Sequence, residues 1–483
     1  MTIRRYATYK PSGVAWLGAV PGHWDVIRLR FVADLNPSKS EIAALDKNTL
    51  ISFLPMDAVG DDGTINLERE RPISELETGY TYFRDGDVTI AKITPCYENG
   101  KGAVMRGLRG GIGFGTTELI VVRPRPDKTT GEYLHWWFVS TPFRQLGESH
   151  MYGAGGQKRL PDDFVRDFVM AMPAAEEQLQ IASFLDHETA KIDALVDEQK
   201  RLIELLKEKR QAVISQAVTK GLDLTVAMKD SGVAWLGKVP AHWPVLRVKA
   251  ISTFLTSGPR GWSDQVCEDG ALFVQSGDLT DALGIDFENA KRVAVGNDAE
   301  AKRTQLKRGD VLICITGAKT GKVAVCEQLH QPAFINQHIC LIRPAAEIRP
   351  RYLGAYLHSQ AGQRYLELAQ YGLKQGLSLE NVKEASVPVP PRREQDDIID
   401  HVTQRSITLD ELTTAAKMSI ALLQERRAAL ISAAVTGKID VRERGDLVAA
   451  MAGSARDIAA GRFVIESAQA HVARIQASLK RDD

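Results

Sequence analysis

The sequence KPSGVAWLGAVPGHWDVIRLR, at residues 10–30, returns as KDSGVAWLGKVPAHWPVLRVK at residues 229–249. Collinear matches of this kind do not arise by chance, and a long internal period determines the whole architecture of a chain. We therefore interpret the chain as a tandem duplication, in which each copy has a matching entrance, a divergent middle and a matching exit. Two further pairs of segments match in the same order: PAAEEQ (173–178) with PPRREQ (390–395), and AVISQAVTKGLDL (212–224) with ALISAAVTGKIDV (429–441).

The exit of each copy predicts a long helix. Residues 174–220 contain neither Gly nor Pro, and Gly221 follows them as a helix-end signal. The second copy shows the same pattern from Pro391 to Gly437. Apolar residues recur in steps of three and four along both segments, which is typical of the seam of a helix pair. The predicted seam contains Ile192, Leu195, Leu202, Leu206, Val213, Leu409, Leu412, Leu423 and Leu430.

The duplication also predicts how these helices are used. A helix of this length needs a partner to cover its apolar stripe, and the natural partner is its own duplicate. If the two divergent middles lie at opposite ends, the helices run antiparallel and separate them by up to ~60–70 Å. We predict an α+β fold, in which two mixed α/β domains are joined by two long antiparallel, coiled-coil-like helices with a pseudo-two-fold repeat. The predicted boundaries are 1–172 (first domain), 173–221 (first helix), 222–390 (second domain), 391–441 (second helix) and 442–483 (a helical C-terminal extension).

The divergent middles predict short mixed elements. Alternating or apolar runs at 87–93, 118–124, 310–316 and 338–344 are typical of strands, and Gly-rich turns separate them. After these strands, each copy predicts one short amphipathic helix, around 133–147 and around 352–368.

Composition limits the possible partners and compartments. Lys plus Arg equals Asp plus Glu at 61 each, so nucleic acid would have to bind to local basic patches. The five cysteines contain no C-x-x-C pair, which excludes a disulfide framework and a zinc knuckle. No apolar run approaches the ~18–20 residues that span a bilayer, and the first residues lack the pattern of a signal peptide. We expect a cytoplasmic protein.

The sequence predicts no catalytic centre. Residues 94–97, Thr-Pro-Cys-Tyr, lack the Asp or Asn with which adenine methyltransferases hold the amine of the target base. Residues 317–322 have three residues between glycines where a phosphate loop has four, and Val323 replaces its Ser or Thr. No group of His, Cys, Asp and Glu has the spacing of metal ligands. We therefore expect no catalytic residue, no metal and no cofactor in this chain.

Polar turns in the two middles are the candidate DNA-binding surface. In each copy, one turn follows a Gly-Asp-Val strand and a second turn precedes the exit segment. Lys and Arg there would contact phosphates, while amides and hydroxyls would discriminate base edges. The candidates in the first copy are Lys92, Thr94, Tyr97, Asn99, Lys101, Gln157, Lys158 and Arg159. The candidates in the second copy are Ser276, Thr316, Lys319, Thr320, Lys322, Asn336, Gln337, Lys374 and Gln375.

With its two SGVAWLG-x-VP-x-HW entrances, its P-x-x-x-EQ exits and its matched long helices, the chain resembles the specificity subunits of type I restriction–modification systems over residues 9–441. The resemblance implies two target-recognition domains, each reading one half of a bipartite double-stranded DNA target. It also implies that two modification subunits, which methylate adenine with S-adenosylmethionine, and restriction subunits, which use ATP and Mg, dock on this chain. Those cofactors would belong to the partner subunits.

Other interpretations remain open. The chain could serve a system that methylates DNA but does not restrict it. It could also be a coiled-coil scaffold without DNA, which would show no selective DNA affinity even with its partners. A self-sufficient enzyme would show activity as an isolated chain.

Overall fold

The computed structural model describes residues 4–154, 156–296, 298–371 and 376–442. The predicted C-terminal extension, apart from Arg442, lies outside the described residues. Within these ranges, no helix combines the length and the apolar character that crossing a membrane requires.

The chain divides into two compact units. One unit consists of the residues up to Glu198 together with those from Ser419 onward, and the other consists of Gln199–Met418. Both divisions fall inside long helices, Ala175–Lys220 and Arg392–Val435. Each unit therefore contains one divergent middle and one part of each long helix.

The two long helices are those predicted from the Gly- and Pro-free segments, with 46 and 44 residues. In the first unit, Arg427 lies near the end of the second helix and forms an ion pair of 3.0 Å with Asp193 of the first helix. In the second unit, Arg210 forms an ion pair with Asp410 of the second helix. The core of the first unit contains Ile181 and Val435, and that of the second contains Val218 and Ile398. Taken with the ion pairs, these positions show that the helices run antiparallel within each unit. The two ion pairs are equivalent under the repeat, because Arg210 and Arg427 occupy matching positions, as do Asp193 and Asp410.

The seam residues differ in burial. Ile192, Leu206 and Leu409 are buried. Val196, Ile203 and Ile214 are also buried, and each lies one position after a predicted seam residue, so the apolar stripe is wider than two positions per heptad. The other predicted seam residues, all half-buried, are Leu195, Leu202, Val213, Leu412, Leu423 and Leu430.

The first unit builds its mixed domain from small sheets and short helices. One four-stranded sheet has the order Ala33–Leu35, Leu119–Pro124, Val88–Ala91, Gly102–Val104, and the other has the order Glu70–Pro72, Leu50–Leu54, Ile112–Gly115, Thr81–Arg84. The two-stranded sheets are Tyr9–Pro11 with Ala19–Pro21 and Asp25–Arg28 with Val169–Met172. The short helices are Ile73–Leu76, Gly131–Val139, Thr141–His150 and Asp162–Asp167.

The second unit repeats this plan. One of its four-stranded sheets has the order Ser252–Ser257, Ile339–Pro344, Val311–Cys314, Val323–Val325. The other has the order Val266–Cys267, Lys291–Val293, Ala271–Val274, Ala333–Ile335. Its two-stranded sheets are Met228–Asp230 with Lys238–Pro240 and Val245–Arg247 with Ser386–Pro388. Its short helices are Ala299–Thr304, Pro350–His358, Gln360–Leu368 and Leu379–Glu384.

The single amphipathic helix predicted in each copy was wrong, because the structure has two helices separated by a serine. Ser140 and Ser359 both have extended backbones, and each hydroxyl donates a 2.6 Å hydrogen bond to the carbonyl three residues earlier. A serine hydroxyl that binds a nearby carbonyl competes with helix continuation. Ser359 also caps the next helix, since its Oγ accepts a hydrogen bond from the amide of Gly362.

The glycine that ends each long helix packs against a tryptophan of an entrance segment. Gly437 ends the second helix with φ +71° and lies against Trp24, and Gly221 ends the first with φ +76° against Trp243. Both tryptophans are completely buried. A side chain at Gly437 would collide with Pro21, so this position requires glycine for its space and for its left-handed backbone.

The Glu-Gln pair of each exit joins the helix start to the rest of its domain. Glu177 contacts His23 at 2.8 Å, and Glu394 contacts His242 at 2.8 Å. Gln178 is buried, and its amide donates to the carbonyl oxygens of Pro173 and Lys128 while its oxygen accepts from the hydroxyl of Thr129.

In the second unit, Gln395 makes the matching contacts, donating to the carbonyl oxygens of Pro390 and Glu347 and accepting from the amide of Arg349. A buried amide with all these partners is costly to replace, because each partner would lose its hydrogen bond. The EQ motif is therefore a structural anchor of both units.

Candidate nucleic-acid interface

The strand that leads into the first polar turn of each copy is fixed by an ion pair of a buried aspartate. Asp87 receives two hydrogen bonds of 2.7 Å from the guanidinium of Arg123. Asp310 receives two bonds of the same length from Arg343. A two-bond carboxylate–guanidinium contact fixes orientation as well as distance. The aspartate of the Gly-Asp-Val sequence thus positions the strand from which each polar turn departs.

In the first unit, the structure brings the two candidate segments of the copy together. We call residues 92–101 and 152–160 the first loop pair. The amide of Thr94 donates to the carbonyl of Lys158 at 3.0 Å, and the amide of Lys158 donates to the hydroxyl of Thr94 at 3.0 Å. The amide of Leu160 donates to the carbonyl of Lys92 at 2.8 Å. Segments about sixty residues apart in sequence therefore form one surface.

The predicted residues of the first loop pair differ in their access to solvent. Asn99, Gln157 and Lys158 are exposed. Lys92, Thr94, Lys101 and Arg159 are half-buried. The ammonium of Lys101 donates to the carbonyl of Met56 at 3.0 Å, so this lysine supports its own turn.

Tyr97 is a correction to the sequence-based assignment. Its side chain is completely buried, its hydroxyl donates to the carbonyl of Phe143 at 3.0 Å, and the guanidinium of Arg144 lies 4.1 Å from the centre of its ring. Burial raises the pKa of the Tyr97 hydroxyl above its ordinary value. Because its ring and hydroxyl are both engaged inside the domain, Tyr97 belongs to the core and is removed from the candidate surface.

The second unit has an equivalent arrangement, residues 315–322 and 371–377, which we call the second loop pair. The amide of Leu377 donates to the carbonyl of Ile315 at 2.8 Å, as Leu160 does to Lys92 in the first loop pair. Tyr371 and Gly376 exchange two backbone hydrogen bonds, of 3.0 and 3.1 Å. The candidates Lys374 and Gln375 lie outside the described residues.

The remaining candidates of the second unit also differ in their access to solvent. Lys319 is exposed, and its ammonium donates to the carbonyl of Gly277 at 3.2 Å. Asn336 is a second correction: it is buried, and its side-chain oxygen accepts from the amide of His338 at 3.1 Å, so it shapes a turn. The half-buried candidates are Ser276, Thr316, Thr320, Lys322 and Gln337.

Two cations of these surfaces are already paired with carboxylates. Arg159 contacts Glu118 at 2.8 Å, and its hydrogen bonds lower the pKa of the Glu118 carboxyl. Lys322 contacts the highly exposed Asp281 at 2.8 Å, and this hydrogen bond lowers the pKa of the Asp281 carboxyl. Among the described residues, no ion pair involves Lys92, Lys158 or Lys319. These three ammonium groups are available to phosphates at no cost in broken ion pairs.

Sequence reasoning missed two residues of these loop pairs, Tyr152 and Tyr371. They lie at equivalent positions of the repeat, and their side chains are 64% and 62% exposed. The signal was present in the sequence, because a Tyr-Gly pair begins the second polar turn of both copies.

Within the described residues, no group of His, Cys, Asp and Glu is arranged to hold a metal ion. The candidate surface consists of backbone turns, lysines, amides and hydroxyls. Such a surface can bind phosphates and discriminate base edges.

Comparisons with known proteins agree on one family. The family model described as the type I restriction modification DNA specificity domain matches residues 264–420. The specificity subunit of the type I restriction enzyme EcoEI from Escherichia coli is 39% identical over 164 residues, which are 34% of this chain and 27% of that protein. The chain therefore matches about a quarter of the length of this curated relative.

Solved structures extend the likeness to most of the chain. A structure from work on complex assembly and conformational transition of the type I R-M system has a TM-score of 0.64 at 19% identity, covering 86% of this chain and 98% of that one. The HsdS subunit from Thermoanaerobacter tengcongensis has a TM-score of 0.55 at 18% identity, covering 87% and 98%. At these identities the likeness shows the fold, and it confirms the predicted two mixed domains with their long helix pair. Residues 264–420 therefore match the DNA specificity domain of type I restriction–modification systems, and most of the chain shares the fold of a solved HsdS subunit.

Proposed function

We propose that the chain is the DNA-recognition subunit of a type I restriction–modification complex and that it recognises a bipartite double-stranded target. One loop pair reads each half of the target. The observation that carries this proposal is the repetition of one construction: in both units, a polar turn after a fixed strand is hydrogen-bonded to a second polar turn before the exit.

The two loop pairs differ in their side chains while their supports match. Asn99, Gln157 and Lys158 are exposed in the first pair, and Lys319 is exposed in the second. Different donors and acceptors on equivalent frames favour two different half-targets, since base edges are discriminated by hydrogen-bond pattern. The long helices then set the gap between the half-targets.

In this proposal the chain contributes recognition and its partners contribute chemistry. Two modification subunits methylate adenine with S-adenosylmethionine, and restriction subunits use ATP and Mg. This chain binds none of these cofactors and has no catalytic residue.

The proposal is tested by exchanging one of the two DNA-recognition segments. Residues 25–172 are replaced by the equivalent segment of a relative with a different target, and the chain is co-expressed with its modification subunits. Mapping of methylated adenines should show one half-target changed and the other unchanged. A change in both halves together would contradict independent readers, and the absence of sequence-selective methylation by the unaltered complex would contradict the function itself.

A further inference from the structure

We propose that Tyr152 and Tyr371 are a matched pair of DNA-contacting residues, one for each half-target, whose rings pack on the DNA. This inference rests on the proposed function and adds to it a contact that involves no charge. All eleven tyrosines of the chain lie within the described residues, and only these two are more than half exposed.

Each tyrosine is held by a pair of backbone hydrogen bonds to a residue further along its segment. The amide of Tyr152 donates to the carbonyl of Arg159 at 3.2 Å, and the amide of Arg159 donates back at 2.8 Å. Tyr371 makes the same exchange with Gly376. In the first unit, the ion pair of Arg159 with Glu118 further holds this segment. A ring on a fixed backbone loses little conformational entropy on binding, because only two side-chain torsions must be ordered.

Neither tyrosine side chain is packed into a core, although that of Tyr152 interacts electrostatically with Arg159. Among the described residues, neither hydroxyl has a hydrogen-bond partner and neither ring packs against another aromatic ring. Buried tyrosines of the same domains behave differently: Tyr133 donates to the carbonyl of Ala171 at 2.8 Å, and Tyr352 donates to that of Pro388 at 2.8 Å. Tyrosine combines an apolar ring with a polar tip and is enriched at interfaces, so its exposure at equivalent positions of both copies favours a contact outside the chain.

The neighbours of Tyr152 favour DNA as the partner. Gln157 and Lys158 lie between Tyr152 and Arg159 in the chain, and the first turn of the same loop pair carries Lys92. A ring among lysines and amides suits a duplex, where the cations contact phosphates and the ring packs on sugar, base or thymine methyl. Aromatic contacts with the bases of single strands are worth roughly 1–3 kcal/mol each, a range that includes losses of about tenfold to hundredfold in affinity.

The experiment uses the complete chain assembled with its modification subunits and a duplex carrying the mapped target. Tyr152→Ala and Tyr371→Ala should each weaken binding by about tenfold to hundredfold, while Tyr152→Phe should bind within about threefold of the unaltered chain because the ring remains. Phe31→Ala is the matched control, since Phe31 is an exposed aromatic residue of the first unit that lies outside both loop pairs. It should bind as the unaltered chain does.

Three readouts separate the possible outcomes. The dependence of affinity on salt should keep its slope, because no phosphate contact is lost. Tyr152→Ala should lose discrimination in one half-target and Tyr371→Ala in the other, with melting temperature and subunit assembly unchanged. Alanine variants that bind like Phe31→Ala, or that fail to assemble, would overturn this inference while leaving the proposed function intact. If the unaltered complex shows no preference for its target, the proposed function fails as well.

Discussion

Lys319 and Lys322 offer the most direct measurement of DNA contact in the second unit. Lys319 is exposed and has only a carbonyl partner, whereas Lys322 is half-buried and paired with Asp281. We expect the Lys319→Ala/Lys322→Ala chain, assembled with its modification subunits, to lose two phosphate contacts.

The size of the effect follows from counterion release. Each phosphate contact contributes ~0.9 to the slope of log affinity against log salt, so two contacts contribute ~1.8. Between ~50 and ~200 mM salt, the affinity lost by the variant should therefore be about tenfold smaller than that lost by the unaltered chain. The preferred target should stay the same, because phosphate contacts carry no base information.

The assay is a binding titration at several salt concentrations, with Lys238→Ala as the matched control, an exposed lysine of the same unit outside the loop pair. Asp281→Asn is the opposite perturbation, since it releases Lys322 from its carboxylate and should strengthen binding at low salt. A double variant with the same slope as Lys238→Ala would remove this turn from the DNA surface.

Three further predictions concern the scaffold. Gln178→Leu should lower the stability of the first unit by about 3 kcal/mol, or roughly 6–12 °C in melting temperature, because it leaves the buried hydrogen-bond partners of Gln178 unsatisfied. The control is the exposed Gln424→Leu, which should change the stability measured by calorimetry by less than about 0.5 kcal/mol. Arg210→Glu should cost about 1 kcal/mol in denaturant unfolding, and adding Asp410→Arg should restore most of it; no recovery in the double variant would contradict a direct pair. Inserting four residues into both long helices at facing levels should lengthen them by ~6 Å and widen the methylated target gap by about one or two base pairs; undiminished methylation at the original gap would show that the helices do not set spacing.

The elements that could be predicted from sequence are those with a strong local signal. The long helices followed from segments free of Gly and Pro, and the ends marked by Gly221 and Gly437 lie where the sequence indicated. The strand around 119–124 was visible as an apolar run. The break at Ser140 was not, because the apolar spacing continues through it and the interruption depends on one hydroxyl that binds a carbonyl.

The candidate surface was harder to predict, because residue type does not reveal which way a side chain points. Tyr97 and Asn336 lie in polar turns, yet both side chains fold inward and stabilise the turn that carries them. Tyr152 is the opposite case, because a tyrosine is usually assigned to the core and its side chain here is exposed. Comparison of the two copies would have found it, as the same Tyr-Gly pair begins both turns.

In each copy, the residues that support the loop pair are distinct from the side chains that point outward, and this explains how the two half-targets can differ. The supports are the exit amides and the ion pairs Asp87–Arg123 and Asp310–Arg343, whose hydrogen bonds have equal lengths in the two units. They hold each loop pair by its backbone and place few demands on the outward side chains. Substitutions in a turn can therefore alter the hydrogen-bond pattern offered to one half-target without cost to the fold. Each loop pair contains three lysines, and among the described ones only Lys322, in the second loop pair, forms an ion pair with a carboxylate. We therefore expect an asymmetric target, in which binding to the first half depends more steeply on salt.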